Sequence, residues 1–199
     1  MKKFELTNEF VTNMFGTKLF RIRALVEFGD VEAGELGGYV EKESNLGHDD
    51  NAWVYGDARV YDNALVYDNA RVYGDAQVSG DARVYDNARV YGDAWVYGNA
   101  RVCGDALVCG DARVCGNGDY AYAHGFGSVN RTTTFFRLKD GGVGVRCGCF
   151  YGTLAQFRDK IRETHGETKK AQEYLMLADL MELRFEEDEN EVGNRKYVE

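Results

Sequence analysis

A six-residue unit repeats without interruption through the middle of the chain. Eleven such units fill the 66 positions 53–118, and a typical unit reads RVYGDA. A short period without insertions is typical of a solenoid, in which each unit stacks on its neighbours. The array therefore predicts that a solenoid forms the central part of this protein.

Each unit predicts a short strand followed by a corner. Alanine and valine lie two positions apart, so they point to the same side of an extended chain. The residue between them, usually arginine, points to the opposite side together with the tyrosine. Gly-Asp or Asp-Asn then turns the chain, because these residues tolerate positive φ. Valine and alanine are therefore expected inside, and arginine and tyrosine outside.

The unit resembles the hexapeptide repeat of left-handed parallel β-helices, in which three units form one triangular coil of 18 residues. On such a coil Tyr55, Tyr73 and Tyr91 share one column, and Tyr67 and Tyr85 share another. We expect these tyrosines to stack and to stabilise the parallel coils. The alternative interpretation is a flat face for an oligomer or a partner.

The flanking sequences divide the chain into three predicted domains. Residues 1–33 contain an alternating strand pattern and are expected to cap the solenoid, because an open coil is an unpaired edge. Residues 34–118 are expected to form the β-helix. Residues 119–199 predict an α+β module with two strands and two helices. The predicted fold class is mainly β: a left-handed-type parallel β-helix (solenoid) with an N-terminal β cap and a C-terminal α+β module.

Capping residues place the two helices of the module. Thr153, with Gln156 three positions later, forms a capping box, and Gly166 is suited to end the first helix. The second helix is expected over about 168–185. The strand before these helices has a face made mostly of glycine, including Gly144, which indicates a close neighbour. That neighbour is either a packed helix or aromatic side chain, or a ligand.

The charge, the hydropathy and the cysteine content of the chain disfavour several classes of function. The net charge of -9 disfavours a nucleic-acid partner, which needs a basic face. No apolar run approaches the roughly 18 residues that span a membrane, and the N-terminal lysines are not followed by the apolar run of a secretory signal. Five cysteines, an odd number, suit a reducing cytosol better than a disulfide framework. We therefore expect a cytoplasmic protein without a membrane partner.

The cysteines do not predict a metal site. Three of them occupy tyrosine positions of the last units and fall on three different faces of the coil, where they cannot converge on one ion. Cys147 and Cys149 with His165 provide one ligand fewer than the usual four. Both are expected to be small buried hydrophobes, and a nucleophilic cysteine paired with His165 is the alternative. We predict no metal and no cofactor.

The stretch GFGSVNRTTTFF, which follows the last unit, has the composition of a ligand-binding loop. Its glycines give backbone N–H groups room to face an anion. Ser128, Asn130, Arg131 and Thr134 add polar side chains, of which Arg131 is suited to phosphate or carboxylate. A solvated turn is the alternative interpretation.

Two stretches carry a resemblance to a known family. ELGGYVEKESNL, followed by units such as NAWVYGDARVY, resembles the YdcK-type β-solenoid repeat proteins of bacteria, phages and prophages. The stretch that begins TTTFFRLKDGGVGV looks like a module that accompanies those repeats in many phage genes. The resemblance implies a phage or prophage protein in the cytoplasm of a bacterial host cell. It carries over no catalytic residue.

The resemblance implies a non-enzymatic protein that antagonises a host defence system by binding a small nucleotide-like ligand or a host protein. For a nucleotide, Arg131 would neutralise phosphate and Phe136 or Tyr122 would stack on the base. One alternative is a structural solenoid that forms a homo-oligomer through its tyrosine faces. The other is a hexapeptide-repeat acyltransferase with His124 as general base.

Overall fold

The computed structural model describes residues 2–127 and 130–186 of the chain. Its first three strands are β1 (Phe4–Thr12), β2 (Lys18–Ala24) and β3 (Leu36–Val40). β1 and β2 form an antiparallel hairpin, and β2 also pairs antiparallel with β3. β3 pairs in parallel with a strand of the repeat array, so the hairpin extends one sheet of the solenoid.

Eleven two-residue strands, β4 to β14, follow at the first two positions of every repeat unit. They are Trp53–Val54, Arg59–Val60, Leu65–Val66, Arg71–Val72, Gln77–Val78, Arg83–Val84, Arg89–Val90, Trp95–Val96, Arg101–Val102, Leu107–Val108 and Arg113–Val114. Parallel pairing joins every third strand into three sheets, in the orders β4-β7-β10-β13, β5-β8-β11-β14 and β6-β9-β12. Partners lie 18 residues apart, which confirms the parallel β-helix and the size of its coil.

The interior of the solenoid contains the residues that the unit predicts. Every valine from Val54 to Val114 and every alanine from Ala52 to Ala112 at these repeat positions is fully buried. The corners take positive φ at either glycine or aspartate, as at Gly92 (φ 70°) and Asp86 (φ 57°). The positions of the strands, the buried side chains and the corners are therefore those that the spacing of the unit predicts.

A cluster of aromatic side chains and one buried amine close the N-terminal end of the solenoid. The Phe4 ring is stacked 4.5 Å from the His48 ring and lies edge-on to Trp53 at 6.1 Å. The Lys3 ammonium donates to the Ala52 carbonyl oxygen at 2.9 Å and to the Asp50 carbonyl oxygen at 3.3 Å. These contacts confirm the predicted β cap.

The C-terminal module is an antiparallel sheet covered by two helices. Its strands are β15 (Tyr120–Phe126), β16 (Arg131–Arg137), β17 (Val143–Cys147) and β18 (Phe150–Thr153), and its helices are α1 (Leu154–His165) and α2 (Lys169–Phe185). The two helices are confirmed. The two expected strands are β16 and β17, but the sheet has four strands. The two further strands are β15, which follows the last repeat unit and pairs with β16, and β18, which directly precedes α1 and pairs with β17.

The glycine face of β17 accommodates an aromatic side chain. A Cβ atom added to Gly144 would clash with the ring of Phe136 on the neighbouring strand. Phe136 is itself fully buried. Packing, the first of the two interpretations, therefore accounts for this glycine.

The change from tyrosine to cysteine in the last units occurs where the module docks. A Cβ atom added to Gly104 would clash with the Tyr122 hydroxyl, and one added to Gly110 would clash with the Tyr151 hydroxyl. Cys109, one position before Gly110, is only 3% exposed. Tyr122 and Tyr151 of the module thus occupy the positions where the next coil of a longer solenoid would lie. The small cysteines of the last units leave room for these rings.

Replacement of Lys3 by Met tests the buried amine of the cap. Desolvation lowers the pKa of Lys3 from 10.5 to about 8, so between these values the unfolded chain binds more protons than the folded one. The free energy of unfolding of the native protein therefore increases with pH in this window, by about 1–3 kcal/mol at pH 10. The Lys3→Met variant should lack this increase. Urea unfolding at pH 7 and pH 10 measures it. Lys2→Met, at the exposed neighbour, is the control, and a pH-independent difference between wild type and Lys3→Met contradicts the prediction.

Cys109→Tyr tests the docking of the module by restoring the residue that most units carry. We expect a loss of about 1–3 kcal/mol in unfolding free energy, because the larger ring overpacks the junction near Tyr151. Ser79→Tyr is the matched control, since Ser79 occupies the same repeat position in a middle coil. Thermal unfolding of both variants is the measurement. Equal melting temperatures would show that the junction tolerates tyrosine.

Candidate functional site

A cleft of about 280 Å³ opens between the turn that joins β17 to β18 and the two helices. Three basic side chains line it: Arg131 at the start of β16, and Lys160 and His165 on α1. Among the described residues, no aspartate or glutamate lines this cleft, and Glu163, which forms an ion pair with Lys160 at 2.7 Å, lies outside the lining. In a chain with a net charge of -9, such a concentration of basic groups favours an anionic ligand.

Aromatic side chains form the inner part of the same cleft. The Phe157 ring lies 5.5 Å from Phe150 and 5.8 Å from Tyr174, measured between centroids. The His165 ring is stacked on the Tyr174 ring at 6.0 Å, with 22° between the planes. Flat apolar surface therefore lies next to the basic groups, an arrangement suited to a ligand with both a ring and an anionic group.

A hydroxyl and a thiol at the base of the cleft hydrogen-bond to each other. The Cys147 thiol accepts from the Thr133 hydroxyl at 3.2 Å and donates to the Tyr174 oxygen at 3.9 Å. Burial, followed by the neighbouring Cys147, raises the pKa of Tyr174 to about 12. Tyr174 therefore keeps its proton at neutral pH and can act as a hydrogen-bond donor.

The structure brings Cys147, Cys149 and His165 to one cleft but corrects part of the prediction about them. Cys147 is partly buried against the core of the module, as expected for a small hydrophobe. Cys149 is exposed rather than buried, because β17 ends at Cys147 and the chain turns at Gly148 (φ 58°). Within residues 2–127 and 130–186, no group of three His, Cys, Asp or Glu side chains is placed to hold a metal ion.

Of the predicted ligand residues that the structure describes, Arg131 is the one that lines this cleft. Asn130 is exposed beside it, with φ at 50°. Ser128 lies outside the described residues. Tyr122 is 41% exposed, but its hydroxyl lies over Gly104 at the end of the solenoid.

Two of the predicted ligand residues are structural, which corrects those assignments. Thr134 is fully buried, and its hydroxyl oxygen accepts a hydrogen bond from the Leu107 backbone N–H at 2.9 Å. Phe136 is fully buried in the core that the solenoid shares with the module, so its ring cannot stack on a base. Both side chains point from β16 toward the last coil, and they fix the module to the solenoid.

His124, the candidate for a general base, lies on β15 at the junction with the solenoid. Its Nδ1 atom is 2.8 Å from the Thr132 hydroxyl oxygen and 3.9 Å from a carboxylate oxygen of Asp105. The imidazole is more than half exposed. The catalytic role of His124 stays a prediction.

One tyrosine pair in each of the two predicted columns is stacked. The Tyr73 and Tyr91 rings are 4.8 Å apart and 1° from parallel, and the Tyr67 and Tyr85 rings are 5.1 Å apart and 5° from parallel. Tyr55 donates from its hydroxyl to a carboxylate oxygen of Asp30 at 3.3 Å. The columns therefore support the coils from outside, and their use as a contact face stays a prediction.

Sequence reasoning missed Lys160, Phe150 and Tyr174 as residues of the cleft. A usable signal was present on α1, where Phe157, Lys160 and His165 recur at helical spacing and so share one side of the helix. No comparable signal exists for Tyr174. Its position depends on how α2 packs against the sheet.

Comparisons with known proteins address the repeat array. The YdcK Beta solenoid repeat family matches overlapping windows throughout residues 52–116. A search of curated proteins found no match. No helix of the described residues is long and apolar enough to cross a membrane.

Proposed function

We propose that this protein, whose residues 52–116 are an array of YdcK β-solenoid repeats, is a non-enzymatic binding protein. Its ligand is a small nucleotide-like anion, held in the cleft of the C-terminal module. The observation that carries the proposal is the lining of that cleft, which includes Arg131, Lys160 and His165 and, among the described residues, no acidic side chain. Glu163 is not part of the lining, but it forms an ion pair with Lys160 at 2.7 Å.

The division of the cleft into a basic rim and an aromatic interior matches the two parts of a nucleotide. Arg131 and Lys160 would bind the phosphate oxygens, and arginine can do so through two parallel hydrogen bonds. The partly buried Phe150 ring would contact the base, since every base offers a π-face. The Tyr174 ring is only 5% exposed and is covered by His165. The protonated Tyr174 hydroxyl adds a donor.

The biological role in this proposal comes from the resemblance of the sequence to phage-associated repeat proteins. A small phage protein that binds a nucleotide can antagonise host defence by withdrawing a nucleotide signal from the host. Sequestration needs affinity and concentration rather than turnover, which agrees with a cleft whose groups are suited to binding. The solenoid then acts as the frame that carries the cleft.

Arg131→Ala tests the cleft directly. We expect the dissociation constants of ATP and GTP, measured by isothermal titration calorimetry, to increase about 10- to 100-fold, because a hydrogen-bonded charge pair is lost. Lys139→Ala is the matched control, since it removes an exposed cation just beyond the other end of β16. Binding of neither nucleotide to the native protein, or equal binding to Arg131→Ala, contradicts the proposal.

The stacked tyrosines favour assembly as a second candidate function. Their flat columns repeat along the solenoid, and such surfaces suit contact between identical subunits. The double variant Tyr73→Ser/Tyr91→Ser should then dissociate an oligomer into monomers in sedimentation velocity experiments. The control is Tyr97→Ser, which removes an exposed tyrosine from another column. A monomeric native protein rules out this candidate.

A further inference from the structure

A second groove, of about 360 Å³, lies where the last coil of the solenoid meets β16. It is lined on the solenoid side by Asn87, Arg89, Asp105 and Leu107, and on the module side by Arg131, Thr132 and Gly148. Arg131 thus lines both this groove and the basic cleft. The two spaces are neighbours with one guanidinium between them.

The turn after β17 holds Arg131 in this intermediate position. A Cβ atom added to Gly148 would clash with the Arg131 guanidinium, so the side chain lies directly on the backbone of the turn. Gly148 also has φ at 58°, a conformation that favours glycine. The backbone conformation therefore favours glycine here, and a side chain at this position would displace the flexible end of Arg131.

The groove differs in chemistry from the basic cleft. The Asn87 side-chain amide donates to an Asp105 carboxylate oxygen at 3.2 Å, and the other carboxylate oxygen lies 3.9 Å from His124 Nδ1. The half-exposed Leu107 adds an apolar surface beside them. Arg89 and Arg131 line the same groove, so Asp105 places a hydrogen-bond acceptor beside two cations. A carboxylate accepts hydrogen bonds from N–H groups, so this groove suits a planar ring with N–H donors that is attached to an anionic group.

From this arrangement we infer that the ligand is a dinucleotide, with its two nucleosides joined through phosphate. One base enters the aromatic cleft, the phosphate linker binds Arg131, and the second base contacts Asp105 in the groove. Guanine fits the second position, because its N1–H and N2–H groups form a donor edge that a carboxylate can accept. The inference rests on the proposed function and adds the class of ligand to it.

Calorimetric titrations with GMP, the linear dinucleotide pGpG and its cyclic form test this inference. We expect at least one dinucleotide to bind the native protein at least tenfold more tightly than GMP does. Asp105→Asn, at an exposed position, should remove most of this difference. Asp75→Asn, at an exposed corner of another coil, is the matched control and should keep the tighter binding of the dinucleotide. The preference for one dinucleotide form distinguishes a linear from a cyclic ligand.

The outcomes separate the inference from the proposed function. Equal affinities for GMP and both dinucleotides overturn the inference and leave a mononucleotide site. A tighter dinucleotide whose affinity is the same in Asp105→Asn also overturns it, because the groove then makes no contact. If ATP binds but no guanine compound does, the second base is assigned wrongly. If no nucleotide binds, the proposed function fails as well.

Discussion

The parallel register of 18 residues is the constraint on which the rest of the structure depends. It places each residue beside its equivalent in the next coil, as Val72 lies beside Val90. Backbone hydrogen bonds hold that register, for example from the Tyr73 N–H to the Val90 carbonyl oxygen at 3.0 Å. Since the same position recurs in every coil, the interior admits only side chains that pack on copies of themselves, and valine and alanine meet this condition.

The same register brings like charges together, and the surface of the solenoid compensates for this. Arg71 and Arg89 are paired neighbours on adjacent strands. The Arg71 guanidinium forms an ion pair with Asp30 of the cap at 2.8 Å, and on another sheet Arg113 lies over the Trp95 ring, 4.6 Å from its centroid. Corner residues of adjacent coils also form hydrogen bonds, since an asparagine side chain in one coil donates to an aspartate carboxylate in the next.

The fold of the repeat could be predicted from the sequence because each residue contacts its equivalent in the next coil. The period of the repeat specifies which residues those are. The size of the coil came from a resemblance, and strand pairing confirms it. The module was harder to predict. Thr133, Thr134, Phe135 and Phe136 are all buried, whereas the sequence predicts that Thr134 and Phe136 contact a ligand. One side of β16 packs on the solenoid and the other side packs on the helices. The sequence of a single strand does not show that both of its sides are covered.

The candidate site depends on this same double packing. Arg131 is the first residue of β16, and the Thr134 hydroxyl, three residues later, accepts from the Leu107 N–H of the last coil. The solenoid therefore sets the position of the strand that carries the basic group, and it also provides one wall of the neighbouring groove. The composition of the loop identified Arg131, but Lys160 and Tyr174 reach the cleft through helix packing. A change in the final coil can thus shift Arg131 through β16 without any contact with the cleft.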